Sequence, residues 1–481
     1  MCFHAAMNND SSSWTIDALI NRRNFMKATG GAGGLAMTNQ FARGGTNGDG
    51  EGREGTANSS PTFIPLGYRV PGALYDPSKN TESDDKDQVG FVIIHPNFSV
   101  LTADQTDFTD VNIGAEFAQR GYRALVADTE ELPGTYHIHD LLPEVGAAVS
   151  HLQDYPKIET TVLVGYSRGA HLMAFYQNVA ENGTQVAQSD DLLFPAPDDI
   201  EEQPAADGVL ILDGVLGTGP GGGGPPEGLL EVDPRIANND PQARLSSLDI
   251  YASENGFAPG GESSYSDEFL ADVFQAQADR MDELVAVAET KQEQVDSGSS
   301  DFPDQEPLIA VGLNTPVADL DSDLLARTSE EWPVITADGS ASVEKVPYIG
   351  PAADADPDIT YADETLTTTA GRFLSTNSIR TTDEYKITKN SIEGLDYSST
   401  NAEAPGNLEG VAAPLLIVSF TGTRNYIVHN EIMMEHAGSS EKSLMYVEGA
   451  SHGLEPIADE YGDTVSLTFD TIDRWAVEQF M

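Results

Sequence analysis

Basic residues and cysteines are scarce in this chain. Of its 481 residues, 25 are lysine or arginine and 78 are aspartate or glutamate, which gives a formal net charge of −53 at pH 7. So negative a protein repels nucleic acids and anionic membrane surfaces, and we expect neither as a partner. The single cysteine, Cys2, cannot form an intramolecular disulfide, and this ordinarily indicates the cytoplasm.

Aromatic residues are also few, at 8%, and an acidic, aromatic-poor composition can indicate disorder. Here the acidic residues stand between well-formed apolar runs, so we expect a folded protein of one large or two ordinary domains with an acidic shell. Repulsion within such a shell is screened in concentrated salt, because the Debye length falls to about 3 Å at 1 M. The composition resembles that of proteins from extreme halophiles, and it predicts that folding depends on salt.

A segment near the N-terminus resembles a twin-arginine export signal. Residues 21–27 read NRRNFMK, and a short, glycine-containing apolar stretch follows from Ala28 to Met37. This stretch is too short and too rich in glycine to remain as a membrane span. We therefore predict a signal region at 1–40, a disordered linker at 41–61 and an exported protein. The pathway moves folded proteins, which suits a chain without disulfides.

Strand-like and helix-like segments alternate over two parts of the chain. Residues 62–75 indicate a pair of edge strands, and apolar β-prone runs follow at 90–94, 122–127, 160–164, 208–212, 414–420 and 443–447. Helical patterns lie between them at 111–120, 141–152, 170–176 and 428–436, and a last helix begins near Asp463. This alternation predicts an α/β fold with a mostly parallel central sheet flanked by helices.

The alternation stops between these two parts. The glycine-rich stretch Gly217–Pro226 is interpreted as a flexible joint, because no Gly-Lys-Ser/Thr follows that would make it a phosphate-binding loop. One amphipathic helix is expected after Ser266, a residue suited to an N-cap. The pattern predicts a large cap or lid insertion at 221–405 between two parts of the core, at 62–220 and 406–481.

The most informative stretch is Gly165–Gly169, which reads GYSRG between a β-branched run and an apolar helical segment. Strand, G-x-S-x-G and helix in this order predict a nucleophile elbow, a turn so tight that its flanking residues must be small. Such a turn lifts the hydroxyl of Ser167 clear of the sheet, at the positive end of the next helix. We interpret Ser167 as a nucleophile; the alternative is a βα turn that happens to contain a serine.

A serine nucleophile needs a base to take its proton. The candidate is His452, in the small-residue sequence EGASHG at 448–453, just past the last predicted strand. This is where the chain order Ser, acid, His places the base. The alternative is a histidine in a surface loop.

The acid that would orient His452 is less evident. Its usual position, after the penultimate strand, reads GTRN at 422–425, with the neutral amide of Asn425 where an aspartate is typical. An amide can fix the tautomer of a histidine but cannot stabilise its charged form. Glu431 is preferred because it is the nearest carboxylate and begins a helix. Asp213, at the end of an earlier strand, and Asn425 itself are alternatives, and a solvated role for Glu431 competes.

Two backbone N–H groups are expected to form an oxyanion hole for the tetrahedral intermediate. One belongs to Arg168, which follows the nucleophile, and the other to Asn97 or Phe98, in the loop after the strand at 90–94. His95, at the end of that strand, is expected to hold the loop by hydrogen bonds.

These motifs resemble the α/β-hydrolase superfamily over roughly 62–215 and 410–481. Within it, the sequences GYSRG and EGASHG are similar to those of secreted esterase-like hydrolases. The resemblance implies an eight-stranded, mostly parallel sheet with Ser167 as nucleophile and His452 as base. Asn425 departs from the pattern of the superfamily.

The expected function is that of an exported serine hydrolase, extracellular or at the cell surface, which cleaves carboxylic esters through an acyl-enzyme. The alternatives are a hydrolase-fold binding protein without turnover and an amidase or peptidase. Its partners would be a small-molecule ester or amide and the twin-arginine export machinery. No cofactor is expected, and the ligand types in His137–Asp140 stand too close together in a loop to predict a metal site.

Overall fold

The computed structural model describes residues 60–481 apart from 68–69, 78–84, 95–110, 130–136, 218–231, 237–238, 241–243, 259–262, 303–305, 314–316, 351–363 and 424. The predicted signal region, nearly all of the predicted linker, the glycine-rich joint from residue 218 onward and the loop with His95, Asn97 and Phe98 lie outside the described residues.

Fourteen strands lie in this part of the chain: β1 Thr62–Pro65, β2 Pro71–Tyr75, β3 Val89–Ile94, β4 Arg123–Ala127, β5 Thr160–Tyr166, β6 Gly208–Leu212, β7 Pro307–Leu313, β8 Arg327–Ile335, β9 Ala341–Pro347, β10 Glu364–Thr369, β11 Arg380–Ile387, β12 Ile392–Asp396, β13 Leu415–Gly422 and β14 Lys442–Ser451. The α-helices among the described residues are α1 Ile113–Gln119, α2 Leu142–Gln153, α3 Gly169–Asn182, α4 Asp267–Asp296, α5 Val317–Leu320, α6 Ala370–Arg372, α7 Ala404–Leu408, α8 Val428–His436 and α9 Thr464–Phe480. In the part of the chain that the structure describes, every helix is too short or too polar to cross a bilayer.

Ten of these strands form one sheet, in the order β1-β2-β4-β3-β5-β6-β13-β14-β8-β9. The seven strands from β4 to β8 in this order run parallel, and β1, β2 and β9 are antiparallel additions at the two edges. The sheet is therefore the mostly parallel one predicted from the alternation of strands and helices.

Both faces of the sheet are covered, which is why its central strands read as continuous apolar runs. Alternate residues of β3 point to opposite sides, Val92 and Ile94 to one hydrophobic cluster and Phe91 and Ile93 to another. Helices α2, α3 and α8 pack on the first face, and α1 and α9 on the second. Two layers of helix on one sheet bury the core and leave the carboxyl ends of the parallel strands free to build a site.

The sheet has ten strands where eight were expected. The additional strands, β8 and β9, come from the segment predicted to form a cap, and β8 pairs in parallel with β14. The strand pattern of β8 is hard to detect because Glu330, Glu331 and Pro333 interrupt its apolar residues. Part of this segment thus extends the core sheet, while the predicted cap boundaries at 221 and 405 stay predictions.

The rest of that segment forms smaller units. Helix α4 begins where it was predicted, because the side chain of Ser266 accepts a hydrogen bond from the Phe269 N–H at 3.2 Å and caps the helix. Strands β7 and β10 form one two-stranded sheet, and β11 and β12 form another. The segment also contacts the core near the ends of its strands, since the Ile349 N–H donates to the Thr421 carbonyl at 2.9 Å.

Candidate active site

Ser167 lies in the tight turn between β5 and α3. Its φ of 54° falls in the left-handed region, which costs a residue with a side chain about 1–3 kcal/mol. The turn is held because the Ser167 N–H donates to the Leu212 carbonyl at 3.0 Å. A side chain at Gly165 would place its Cβ 2.8 Å from the Cα of Ala170, so this position requires glycine. The predicted elbow geometry is thus present, including the need for a small residue at position 165.

His452 follows directly after β14, in a turn that folds back on itself. The Ser451 N–H donates to the Glu455 carbonyl at 2.8 Å, and the Leu454 N–H donates to the Ser451 carbonyl at 2.9 Å. This turn brings the imidazole Nε2 of His452 to 3.1 Å from the hydroxyl oxygen of Ser167. Both side chains are largely buried, at 6% and 8% exposed, so that bulk water competes little for this contact.

Asp213 follows the last residue of β6 and faces the other nitrogen of the imidazole. Its Oδ2 lies 2.6 Å from His452 Nδ1. The same oxygen accepts a hydrogen bond from Thr423 Oγ1 at 2.5 Å, and Oδ1 accepts one from Ser419 Oγ at 3.2 Å. The carboxylate is fully buried, and these hydroxyls offset part of the cost of removing its charge from water.

The structure corrects the preferred acid. Glu431 does not face His452: its carboxylate accepts hydrogen bonds from the backbone N–H groups of Ser329 and Glu330, at 2.7 and 2.9 Å, and from the indole of Trp332 at 2.8 Å. All three donors belong to β8, the strand that the sequence pattern did not reveal. Glu431 is 1% exposed, so the competing idea of a solvated carboxylate is wrong as well.

Asn425 lies beside the Asp213–His452 pair without replacing the acid. Its Nδ2 donates to the backbone carbonyl of Asp213 at 3.1 Å and lies 3.2 Å from His452 Nδ1. Because the Nδ1 proton is directed at the closer carboxylate, the amide group of Asn425 serves to hold Asp213 in place. Of the three candidates for the acid, the structure brings Asp213 and Asn425 to the histidine and leaves Glu431 elsewhere.

Two further features near the elbow are the expected oxyanion donors and the buried imidazole of His171. Arg168 is the N-cap residue of α3, and its backbone N–H is one of the two expected oxyanion donors. The other two predicted candidates, Asn97 and Phe98, lie outside the described residues. His171, in the first turn of α3, is fully buried; burial and the nearby charge of Arg168 lower its pKa to about 3. The imidazole of His171 is therefore neutral at physiological pH.

His137 and His139 lie in a packed cluster with Phe194. His137 Nδ1 is 2.9 Å from Ser375 Oγ, and the ring of His137 stacks on Phe194 with the centroids 5.0 Å apart. His139 is buried, and burial lowers its pKa to about 4. Among the described residues, no three or more His, Cys, Asp or Glu side chains come together in a way that could hold a metal ion.

The strand order, the elbow and the chain order Ser167, Asp213, His452 define the α/β-hydrolase fold. Sequence reasoning missed Ser419 and Thr423, whose hydroxyls contact the Asp213 carboxylate. The signal that could have found them is the change from apolar to polar residues near the end of β13, which otherwise reads as an apolar run.

Comparison with solved structures gives distant likenesses over most of the chain. Est1E from Butyrivibrio proteoclasticus is 10% identical, with a TM-score of 0.37, and the match covers 88% of this chain and 99% of that one. A soluble variant of monoglyceride lipase from Saccharomyces cerevisiae is 10% identical, with a TM-score of 0.37 and coverages of 89% and 96%. The siderophore hydrolase EstB from Aspergillus fumigatus is 9% identical, with a TM-score of 0.39 and coverages of 89% and 99%. No model of a known protein family and no curated protein matches the sequence.

Proposed function

We propose that this protein is an exported serine hydrolase that cleaves carboxylic esters of small molecules through an acyl-enzyme on Ser167. One observation carries the proposal: His452 lies within hydrogen-bond distance of Ser167 Oγ through Nε2, at 3.1 Å, and of the Asp213 carboxylate through Nδ1, at 2.6 Å. A nucleophile, a base and an orienting acid in this chain of contacts are the requirements for acyl transfer by serine.

The contacts assign a role to each group. The Asp213 carboxylate holds the proton on Nδ1, which leaves the lone pair of Nε2 directed at the serine hydroxyl. As Ser167 Oγ bonds to the acyl carbon, its proton moves to Nε2, and the leaving alcohol takes that proton when the carbon–oxygen bond breaks. Water then repeats the sequence in the second half: its proton passes to Nε2, its oxygen bonds to the acyl carbon, and Ser167 Oγ is released as the hydroxyl.

The binding-protein alternative drew its support from the missing aspartate at position 425. With the Asp213 carboxylate in contact with His452, that support is removed, and turnover is the better proposal. An amidase or peptidase would use the same three groups, so esters and amides have to be distinguished by assays with both kinds of substrate. We favour esters because resonance makes an amide carbonyl less electrophilic than an ester carbonyl, so that an ester requires less stabilisation of the transition state.

Fluorophosphonate labelling tests the serine mechanism. Because the probe phosphonylates only an activated serine, with fluoride as the leaving group, the folded full chain in concentrated NaCl is expected to be labelled, and Ser167→Ala is expected to lose all labelling. Labelling is measured by in-gel fluorescence. Turnover is measured separately with p-nitrophenyl esters and peptide anilides. Ser451→Ala is the matched control, since this serine lies next to the base but contacts neither Ser167 nor Asp213 in the described hydrogen bonds.

A folded wild-type protein that stays unlabelled would contradict the serine mechanism and favour the binding protein. Labelling combined with turnover of anilides but not of esters would favour the amidase. Labelling that persists in Ser167→Ala would mean that another serine reacts.

Export rests on the sequence of residues 21–27 and has its own test. Recognition of the twin-arginine signal depends on the arginine pair, so replacing Arg22 and Arg23 together by lysine is expected to stop export while leaving the charge unchanged. The measurement is the distribution of the protein between cells and medium. Replacing Arg43 and Arg53 by lysine is the matched control, and equal export of both double variants would contradict the proposal.

A further inference from the structure

We propose that Tyr166 is a positioning residue for the base: its hydroxyl holds the backbone of His452 while its ring lies along the imidazole. This inference rests on the proposed function, because it concerns the same three groups. Tyr166 is the last residue of β5 and stands directly before Ser167. Ser167 and the residue that holds its base therefore lie next to each other at the end of β5.

The topology explains why such an anchor is needed. Strands β6 and β13 lie between β5, which carries the nucleophile, and β14, which carries the base. Neighbouring strands are about 4.8 Å apart, so the two chain segments start about 14 Å from each other. The turn after β14 must cross this gap to bring His452 to Ser167. Its own hydrogen bonds, among residues 451–455, hold its shape, and a link to the β5 side has to come from a residue outside the turn.

The contacts of Tyr166 provide that support. Its hydroxyl donates to the backbone carbonyl of His452 at 2.5 Å, and the two rings lie 5.3 Å apart between centroids with an interplanar angle of 24°. The side chain points to the face of the sheet covered by α1 and α9, where it packs in the same cluster as Leu212, Ala450 and Leu454. Tyr166 is 1% exposed, so water competes little with the carbonyl of His452 for its hydroxyl.

His452 is thus held by two residues. Asp213, at the end of β6, contacts Nδ1, whereas Tyr166 hydrogen-bonds to the backbone carbonyl and stacks on one face of the imidazole. Proton transfer is sensitive to small errors in the distance between Ser167 Oγ and Nε2, because a misplacement of about 1 Å can cost about 100-fold in rate. Removing the hydroxyl leaves the acid and the nucleophile unchanged and frees the turn that carries the base.

The test compares two tyrosines that make the same kind of hydrogen bond. Tyr166→Phe is expected to lower kcat and the rate of fluorophosphonate labelling about tenfold, with KM within about twofold, since one lost hydrogen bond near the reacting atoms is worth about that much. Tyr446→Phe is the matched control: its buried hydroxyl donates to the Ile427 carbonyl at 3.2 Å, and its side chain packs on the opposite face of the sheet from Tyr166. It is expected to lower the unfolding midpoint in the same way and to leave the rates unchanged.

A spectroscopic readout separates positioning from general stability and does not need turnover. The His452 Nδ1 proton, hydrogen-bonded to a carboxylate, is expected to resonate far downfield in the proton NMR spectrum, and Asp213→Asn is expected to identify the signal by removing it. Tyr166→Phe is expected to shift or broaden this resonance, and Tyr446→Phe to leave it as in the wild type. An unchanged resonance and labelling rate in Tyr166→Phe, or equal losses in both variants, would overturn the positioning role. A wild type that is inert to esters and probe would instead overturn the proposed function, and the resonance would still decide the role of Tyr166.

Discussion

Asp213→Asn is expected to lower kcat for ester hydrolysis by about 10⁴-fold while the protein remains folded. An amide in place of the carboxylate favours the wrong tautomer of His452 and leaves the charged imidazole without a counter-charge. The hydroxyls of Ser419 and Thr423 can still bond to the new side chain, so the packing of the site is retained. The measurements are kcat with a short-chain p-nitrophenyl ester and the chemical unfolding transition in the same buffer.

Glu431→Gln is the matched control for this prediction, because it makes the same change at a second buried side chain. The Glu431 carboxylate accepts three hydrogen bonds from β8 and none from His452. Glu431→Gln is therefore expected to lower the free energy of unfolding by about 2 kcal/mol and to leave kcat within about twofold. If Glu431→Gln lost the larger share of turnover at an unchanged stability, Asp213 would not be the orienting acid.

Asn425 allows a second check on the same assignment. In the Asp213→Asn background, Asn425→Asp returns a carboxylate to a position 3.2 Å from His452 Nδ1, and we expect it to recover part of the lost turnover. In the wild type the same change sets two carboxylates side by side and is expected to reduce activity. Failure of the double variant to exceed Asp213→Asn would show that position 425 cannot supply the acid.

Removing salt is expected to have the second large effect. With 78 acidic and 25 basic residues, every basic side chain could be paired and 53 negative charges would still repel one another. Pairs such as Lys386 with Glu393 and Lys389 with Asp323 are present, but exposed pairs of this kind stabilise a fold by only about 0–1 kcal/mol each. Going from about 3 M to about 0.1 M NaCl lengthens the screening distance from under 3 Å to about 10 Å. We expect this to remove most of a folding free energy of about 5–15 kcal/mol.

Unfolding transitions at several concentrations of NaCl, with sucrose as an uncharged control, measure this effect. Sucrose favours compact states without screening charge, so it should stabilise the protein much less than NaCl does. Equal stability in dilute and concentrated NaCl would contradict the acidic-shell interpretation.

Much of the fold could be predicted from local pattern. Helix α8 has the bounds that were predicted, and the elbow follows from the small residues around Ser167. The acid could not be chosen in the same way. Asp213 and His452 are 239 residues apart, and their contact depends on β6, β13 and β14 being neighbours in the sheet. Distance along the chain favoured Glu431, and only the presence of β8 explains why its carboxylate turns the other way.

The placement of β8 and β9 bears on how freely the long middle segment could be removed. Excising it would leave one edge of β14 without its backbone partner, and the carboxylate of Glu431 would lose all three of its donors. A shortened protein made by cutting at 221 and 405 is therefore expected to aggregate through the bared strand rather than to yield a minimal hydrolase. A trimmed design would have to retain this hairpin, because β8 and β9 belong to the core sheet although they lie within the middle segment.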